Sequence, residues 1–441
     1  MTSSWFSSFI PALLLMMLAI FARARARSWL EPGPFFALVW SFFTVIPLIM
    51  APGYDVWPGG VWWILVSALC VCCGDWAISG VISKTEIDVA TESQHLRNAM
   101  PLMAKTIMIL AIVGLLASAY TIIQAGYNLN IFTSPNFSSM SSDISVNRYS
   151  GNDSSSGILG QLLLVGVYGA PLIGGFLFAT SRILKYRVLA LLSGIPALFL
   201  FAVQTTRFTY ILSAVLWIAS YFAGKIFLDQ KKFSRKYLTI AFIVPVVMVF
   251  LFGVGESLRV GETPNWNSIN SNLATPATRS ALFGHISVFS HWFHDYWYHP
   301  QPVTIGAYTF AGPFNQLGIQ QRQEGLYDYS YEVESGGYTN IYTFFRGLIE
   351  DFTLPGALIA MFLGGIIGSF SYHRVLNKKI LFAPLLVIFY AFSTDFMSSL
   401  FSYNSCIAAL AIFAVVVYFS MSRQPAHISL GTNQIIDSQS N

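Results

Sequence analysis

YTNIYTFFRGLIEDF, residues 338–352, carries Arg346, Glu350 and Asp351 just before an apolar run that opens at Leu354. Only 10% of the 441 residues are charged, so three charges at such a boundary call for a physical reason. On a helix, Thr339, Thr343, Arg346 and Glu350 recur at three- and four-residue offsets and form a polar stripe, while Ile341, Phe345, Leu348 and Phe352 take other faces. The pattern predicts an amphipathic helix lying on or dipping into a membrane interface. Thr353 can then cap the helix that follows, with Pro355 tolerated in its first turn because the missing N–H is unpaired there anyway. Within that next run, Gly364 and Gly368 have the small-xxx-small spacing of close helix contact. Arg346 precedes Glu350, the less favourable order for an exposed helical pair, worth only a few tenths of a kcal/mol at most. Stability is a weak reason for the pair, and site chemistry a stronger one.

Outward from this stretch the chain is 55% hydrophobic and 16% aromatic. That composition excludes an ordinary soluble domain, which carries about 25% charged residues. Apolar runs of roughly membrane-spanning length recur at 5–22, 33–51, 60–80, 102–124, 158–180, 188–204, 208–224, 237–255, 354–372, 380–397 and 404–420. The expected fold is therefore an all-α polytopic membrane protein of about eleven transmembrane helices, a single membrane domain over 1–441. Residues 1–22 have an apolar core with no basic residue before it and Arg23, Arg25 and Arg27 after it, the reverse of a cleavable signal, and read as the first membrane helix. Cys70, Cys72, Cys73 and Cys406 all lie inside apolar runs, so no disulfide framework is implied. The net charge of +4 follows from where Lys and Arg fall relative to the bilayer and is no argument for nucleic acid.

The positive-inside rule places Arg23/Arg25/Arg27, Lys84/Arg97/Lys105, Arg182/Lys185/Arg187, the 225–236 cluster, Arg374/Lys378/Lys379 and Arg423 in the cytoplasm, alternating correctly through every span. The amino terminus is then outside and the tail 424–441 inside. Every lysine falls on the inner side. The basic residues left outside are Arg148, Arg207, Arg259, Arg279, Arg322 and Arg346, all arginine. A topology signal does not distinguish the two residues, whereas a planar, always-charged fork suits phosphate or carboxylate. Ordinary headgroup contact is the other reading of the outer set, above all for Arg148. Two outer segments stand out. Residues 125–157 are rich in Ser, Asn and Gly and are expected to form a flexible loop. Residues 256–353 carry Trp266, Trp292, Trp297 and many Tyr, and are expected to fold as a large loop with amphipathic helices packed on the outer face.

Several residues could carry chemistry. Arg207, in QTTRFTY at 204–210, interrupts two apolar runs, where a guanidinium is expensive unless paired or solvated in a cavity; snorkelling from a helix end is the plainer reading. Glu256 and Arg259 share a helical face as a span leaves the membrane, and either pair together or line a polar pocket. Thr275 and Pro276 suit the cap and first position of a short helix carrying Arg279. His291 and His294 stand in an aromatic stretch beside Asp295 without any established metal-ligand pattern, so no metal is expected; a single histidine accepting a proton is the better chemical reading, and loop packing the plainest.

In its layout, the chain resembles the bacterial oligosaccharide repeat-unit polymerases, the Wzy-type O-antigen polymerase family. The residues that carry the likeness are the helix-end Arg207, Arg259 leaving the next span, and the block Asn340-Ile-Tyr-Thr-Phe-Phe-Arg346, Glu350-Asp351-Phe352 and Pro355-Gly356. Thr353 stands where members often have glycine. The resemblance implies a GT-C-like glycosyltransferase, multi-pass in the bacterial inner membrane, that at the periplasmic face transfers a growing glycan from undecaprenyl pyrophosphate to a new lipid-linked repeat unit. It implies no cofactor; its partners are the lipid-linked oligosaccharide, membrane lipid and a chain-length regulator protein. On that reading Arg207, Arg259 and Arg279 serve the pyrophosphate, and Arg322 is a further substrate-binding residue. Arg346, Asn340, Glu350 and Asp351 serve sugar binding or acid/base work, with His291 and His294 as reserve bases. An O-antigen ligase is the nearest rival, but the corresponding block lacks a histidine beside Asn340. A lipid-linked oligosaccharide flippase predicts ionisable groups at mid-membrane, where the spans hold few, such as Asp75 and Asp395.

Overall fold

The computed structural model describes residues 3–81, 89–149, 157–228, 235–319, 327, 329–394, 396–397 and 399–422. Arg322, Asp395 and the tail 424–441 lie outside the described residues. Prolines set several helix starts because the first helical N–H groups have no internal partner to lose. Thus α1 (Ser3–Ala26) is followed by α2 (Pro32–Met50) and α3 (Pro58–Ser79), the last two opening on proline. Gly33 N–H, left over between Pro32 and Pro34, is taken by Asp75 Oδ2 of α3 at 3.1 Å. Asp75, read from sequence as a mid-membrane charge, thereby caps a neighbouring helix.

Next come α4 (Val89–Gln124), α5 (Phe137–Tyr149) and α6 (Ile158–Thr180). The flexible loop expected at 125–157 is corrected by α5, because Met140 and Ile144 bury one apolar face against Ile122 and Val203. The run expected at 188–204 begins earlier and is broken at Ser193–Gly194, giving α7 (Leu184–Leu192) and α8 (Ile195–Gln204). Two residues later α9 (Arg207–Phe227) starts, and α10 (Arg235–Arg259) returns to the same end of the bundle.

The segment after α10 folds into short elements: α11 (Trp266–Leu273), α12 (Pro276–Phe283), α13 (His285–Tyr298) and α14 (Ala311–Gln316). Caps explain the first two. Asn265 and Ser268 form a reciprocal capping box, and Thr275 accepts from Thr278 N–H with Pro276 at the first position. An antiparallel hairpin of β1 (Tyr331–Glu334) and β2 (Gly337–Thr339) follows, with Glu332 opposite Tyr338.

The chain then enters α15 (Thr343–Leu376), α16 (Ala383–Thr394) and α17 (Asn404–Ser422). Here the amphipathic interfacial helix is corrected twice. Thr339 belongs to β2, so the polar stripe starts only at Thr343. The first three turns of α15 are also buried on all sides, with Phe345 at 1%, Ile349 at 0% and Asp351 at 0% exposure. At Thr353 the helix kinks through φ 67° and ψ 174°, an arrangement reached without strain only by glycine. The kink turns the buried turns into the long apolar run that follows.

Eight described helices are long and apolar enough to cross a bilayer, α7 and α8 counting together, and two shorter apolar helices lie at Ile380–Thr394 and Asn404–Ser420. The protein is thus a helical, multi-pass membrane protein. Between its helices lipid offers little hydrophobic driving force, so close backbone contact matters. A Cβ built on Gly74 of α3 would lie 2.2 Å from Phe362 O, and one on Gly365 of α15 would lie 2.2 Å from Val71 O. The expected contact through Gly364 is therefore corrected to Gly365. Gly364 faces open space and Gly368 meets Phe389 of α16.

Candidate functional site

A break of two residues creates the polar centre. Thr205, in the left-handed region at φ 51°, ends α8, and α9 starts at Arg207. A cation at a helix amino terminus opposes the helix dipole, so it needs an acid nearby. Glu256, in the last turn of α10, supplies it in a direct Arg207–Glu256 salt bridge. One turn earlier on α10, Phe252 lies under the same guanidinium at 3.8 Å. Arg259 Nη1 stands 3.6 Å from Glu256 Oε1, placing one carboxylate between two arginines that are only 15% and 32% exposed. Arg148, at the end of α5, donates to Thr206 Oγ1 at 2.9 Å and Gln204 Oε1 at 3.4 Å. Ser142 Oγ of α5 donates to Arg259 O at 2.8 Å and ties that helix to α10.

Arg148, Arg207, Glu256 and Arg259 line one cavity of about 2160 Å³. Asn340, Asn404 and Gln161 add polar groups to the same cavity. Its other wall is apolar and follows one face of α9 through Ala214, Ile218 and Tyr221, facing Phe42 of α2 and Phe178 of α6. From Arg207 to Phe222 that helical face runs about 22 Å at 1.5 Å per residue.

A second cluster adjoins this cavity through Tyr327 and Asn340, both in its lining. Arg346 Nε donates to Glu350 Oε1 at 3.0 Å. The guanidinium is boxed by the rings of Tyr327, Tyr342 and Trp292 at 3.8, 4.2 and 5.3 Å, which supply the cation–π contacts that let it be buried. Burial pushes the Tyr327 phenol well above its ordinary range, with the Glu350 charge adding and Arg346 opposing. Tyr327 therefore stays a neutral O–H donor, and its oxygen has no hydrogen-bond partner among the described residues. Glu350 Oε2 is likewise without one.

The remaining candidates are placed elsewhere. Asp351 accepts from Thr304 Oγ1 at 2.6 Å, Tyr308 N at 3.1 Å and Thr309 N at 2.6 Å, so its carboxylate anchors the 304–309 turn and is committed to that work. Arg279 pairs with Glu334 at 3.3 Å, and Tyr54 donates to the same carboxylate at 2.7 Å, locking the hairpin to α12 and the 51–57 loop. Burial, with that hydrogen bond second, pushes the Tyr54 phenol up. His291 stacks on Tyr331 near Asp55, and His294 lies edge-on to Trp57; neither borders the cavity. Among the described residues no group of three or more His, Cys, Asp or Glu could hold a metal.

The structure thus brings Arg207, Arg259 and Asn340 to one cavity and sets Arg346 and Glu350 behind its Tyr327 wall. Sequence reasoning undervalued Arg148, which stands in a serine-rich stretch, and missed Tyr327 and Trp292. The aromatic density between 292 and 342 was the available signal. No protein-family model, curated protein or solved structure matches this chain.

Proposed function

We propose that the protein is a membrane glycosyltransferase of the lipid-linked repeat-unit polymerase type, acting at the periplasmic face of the bacterial inner membrane. The reading takes eleven crossings in a GT-C-like arrangement, the eight long helices together with α10, α16 and α17, and an orientation set by the positive-inside rule. The observation that carries it is the single cavity with Arg148, Arg207 and Arg259 at one end and an apolar wall down α9. A lipid diphosphate needs both. Three guanidiniums against one carboxylate leave net positive charge for the headgroup, and the nearer part of the wall, along Ile211, Ala214 and Val215, suits the first isoprene units of a polyprenyl chain.

In the reaction an acceptor sugar hydroxyl attacks the anomeric carbon of the donor glycan. The bond from that carbon to the diphosphate oxygen breaks, and undecaprenyl pyrophosphate leaves. Negative charge grows on the leaving oxygen, where fixed guanidiniums stabilise it without reorganising. The hydroxyl proton goes to a carboxylate. Glu256 is engaged by two arginines and Asp351 by three donors, whereas Glu350 gives one oxygen to a single arginine and keeps Oε2, behind the Tyr327 wall, without a hydrogen-bond partner among the described residues. We therefore assign that part to Glu350, the proton passing through the Tyr327 hydroxyl while Asn340 orients the acceptor from the cavity wall.

Purified protein in vesicles, supplied with undecaprenyl-pyrophosphate-linked repeat units, should make a ladder of lengthening glycans. Arg148→Lys, Arg207→Lys and Arg259→Lys should each abolish the ladder at unchanged protein level, because an ammonium cannot reproduce the planar fork. Normal ladders from all three variants would remove the assignment. In cells, loss of the gene should leave single repeats on the lipid core; full-length chains stranded on the carrier would favour a ligase, and repeats held in the cytoplasmic leaflet a flippase.

A further inference from the structure

The end of the bundle opposite Arg207 carries a second group of cations, set over aromatic rings that line the same cavity. Phe178 of α6 lies 5.3 Å from Trp217 and 6.0 Å from Tyr221 of α9, and all three rings line the cavity. Arg187 of α7 stands over the Phe178 ring at 4.5 Å, and Lys225 over the Tyr221 ring at 5.4 Å. Trp217 Nε1 donates to Ala190 O at 3.1 Å, which holds α7 against α9 and so fixes Arg187 over the aromatic strip. Residues 181–229 contain four cations, Arg182, Lys185, Arg187 and Lys225, apart from Arg207 at the far end, against one acid, Asp229. Lys378 donates to Phe227 O, so the carboxyl end of α9 is met by a lysine from another element.

We propose that this end binds an anionic glycerophospholipid, its phosphate between Arg187 and Lys225 and its acyl chains along Phe178, Trp217 and Tyr221. Two observations favour a lipid over a soluble anion. The cations sit on ring faces that form a groove wall, so any bound phosphate adjoins apolar surface that acyl chains would cover. α7 opens a membrane-crossing segment, and its first turns expose Leu184 at 75% and Leu191 at 58% beside the exposed Lys185 and Arg187, so these cations stand where lipid-facing surface begins. A zwitterionic lipid would bring its own ammonium toward Arg187 and Lys225, whereas an anionic one adds only attraction, worth about fivefold in affinity per cation. Under the orientation proposed above this is the cytoplasmic leaflet; the site itself stands independently of the polymerase reading.

Tryptophan quenching tests it. Protein and its Trp217→Phe variant are placed in phosphatidylcholine vesicles containing a small fraction of brominated phosphatidylglycerol or brominated phosphatidylcholine, and their difference isolates Trp217. Phosphatidylglycerol should half-quench Trp217 at about 25-fold lower fraction than phosphatidylcholine. Arg187→Gln and Lys225→Gln should each cut that preference about fivefold, while the swap Arg187→Lys with Lys225→Arg, which keeps both charges, should retain most of it. Equal quenching by the two lipids, or a preference that survives both Gln substitutions, overturns the proposal. So does loss of the preference when inorganic phosphate is added, since the site would then serve a soluble anion.

Discussion

Replacing Glu256 by glutamine should move folding stability and anion affinity in opposite directions. Glu256 is the one carboxylate between Arg207, in direct contact, and Arg259 at 3.6 Å. Breaking a buried pair by removing one partner costs about 3–5 kcal/mol. With Arg207 15% and Arg259 32% exposed, water and counterions recover part of this, so we expect about 2–3 kcal/mol. Arg148 increases the penalty, because the same cavity then holds three guanidiniums and no acid. The loss should appear as a lower midpoint of thermal unfolding in detergent. A lipid diphosphate reverses it: its charge replaces the missing carboxylate, so the shift in midpoint on adding undecaprenyl pyrophosphate should be larger in Glu256→Gln than in the parent, by linkage of binding to folding. Glu256→Ala, which removes the same charge and also opens space, controls for packing. An unchanged midpoint without ligand would refute the burial of the triad. A ligand-induced shift no larger than the parent's would refute the cavity as a diphosphate site, even if the polypeptide were destabilised as expected.

Thr353→Gly should raise stability by about 1–2 kcal/mol, since φ 67° with ψ 174° strains a β-branched residue and suits glycine; a lower thermal midpoint would mean that the threonine side chain holds the kink. Gly365→Ala should lower stability by about 1–3 kcal/mol because its Cβ would meet Val71 O, whereas Gly364→Ala should be neutral or slightly stabilising; matching midpoints for the two variants would contradict the packing of α3 on α15. Burial pushes His285 down from 6.5 to about 4 against the hydrogen bonds of its ring to backbone carbonyls. The unfolded chain therefore binds the proton first as pH falls. Stability should drop by about 3 kcal/mol between the unfolded value near 6.5 and the folded value near 4, and His285→Gln should flatten that part of the pH profile of unfolding. An unflattened profile would place the responsible titration elsewhere.

What could be read from the sequence divides along a physical line. The apolar runs and their charged ends depend on local composition, and the helices largely follow them. Arg207 was visible for the same reason, as a charge with no local partner between two apolar segments. Glu256 could be singled out beside Arg259, yet its stronger contact runs to Arg207 on another helix, and spacing along one helix contains no information about that. The errors share a cause. Periodicity reports which residues would share a face if a helix existed, without saying where it starts or whether that face is covered. Hence the spacing puts Thr339 on a helix although the hairpin claims it, and points to Gly364 although a turn of about 100° separates its face from that of Gly365. Serine-rich composition hid Met140 and Ile144, one helical turn apart, whose burial makes α5 a helix and delivers Arg148 to the cavity.

The stripe of Arg346 and Glu350 lies inside the protein and not on an interface. Two charges one turn apart look like a solvated face, and in water they would be. Three aromatic rings drawn from α13, from Tyr327 and from the start of α15 replace that water, and the pair neutralises itself at 3.0 Å. The charges therefore mark the inside of the protein here, next to a cavity, and that placement makes a structural salt bridge on a membrane surface the weaker account of them.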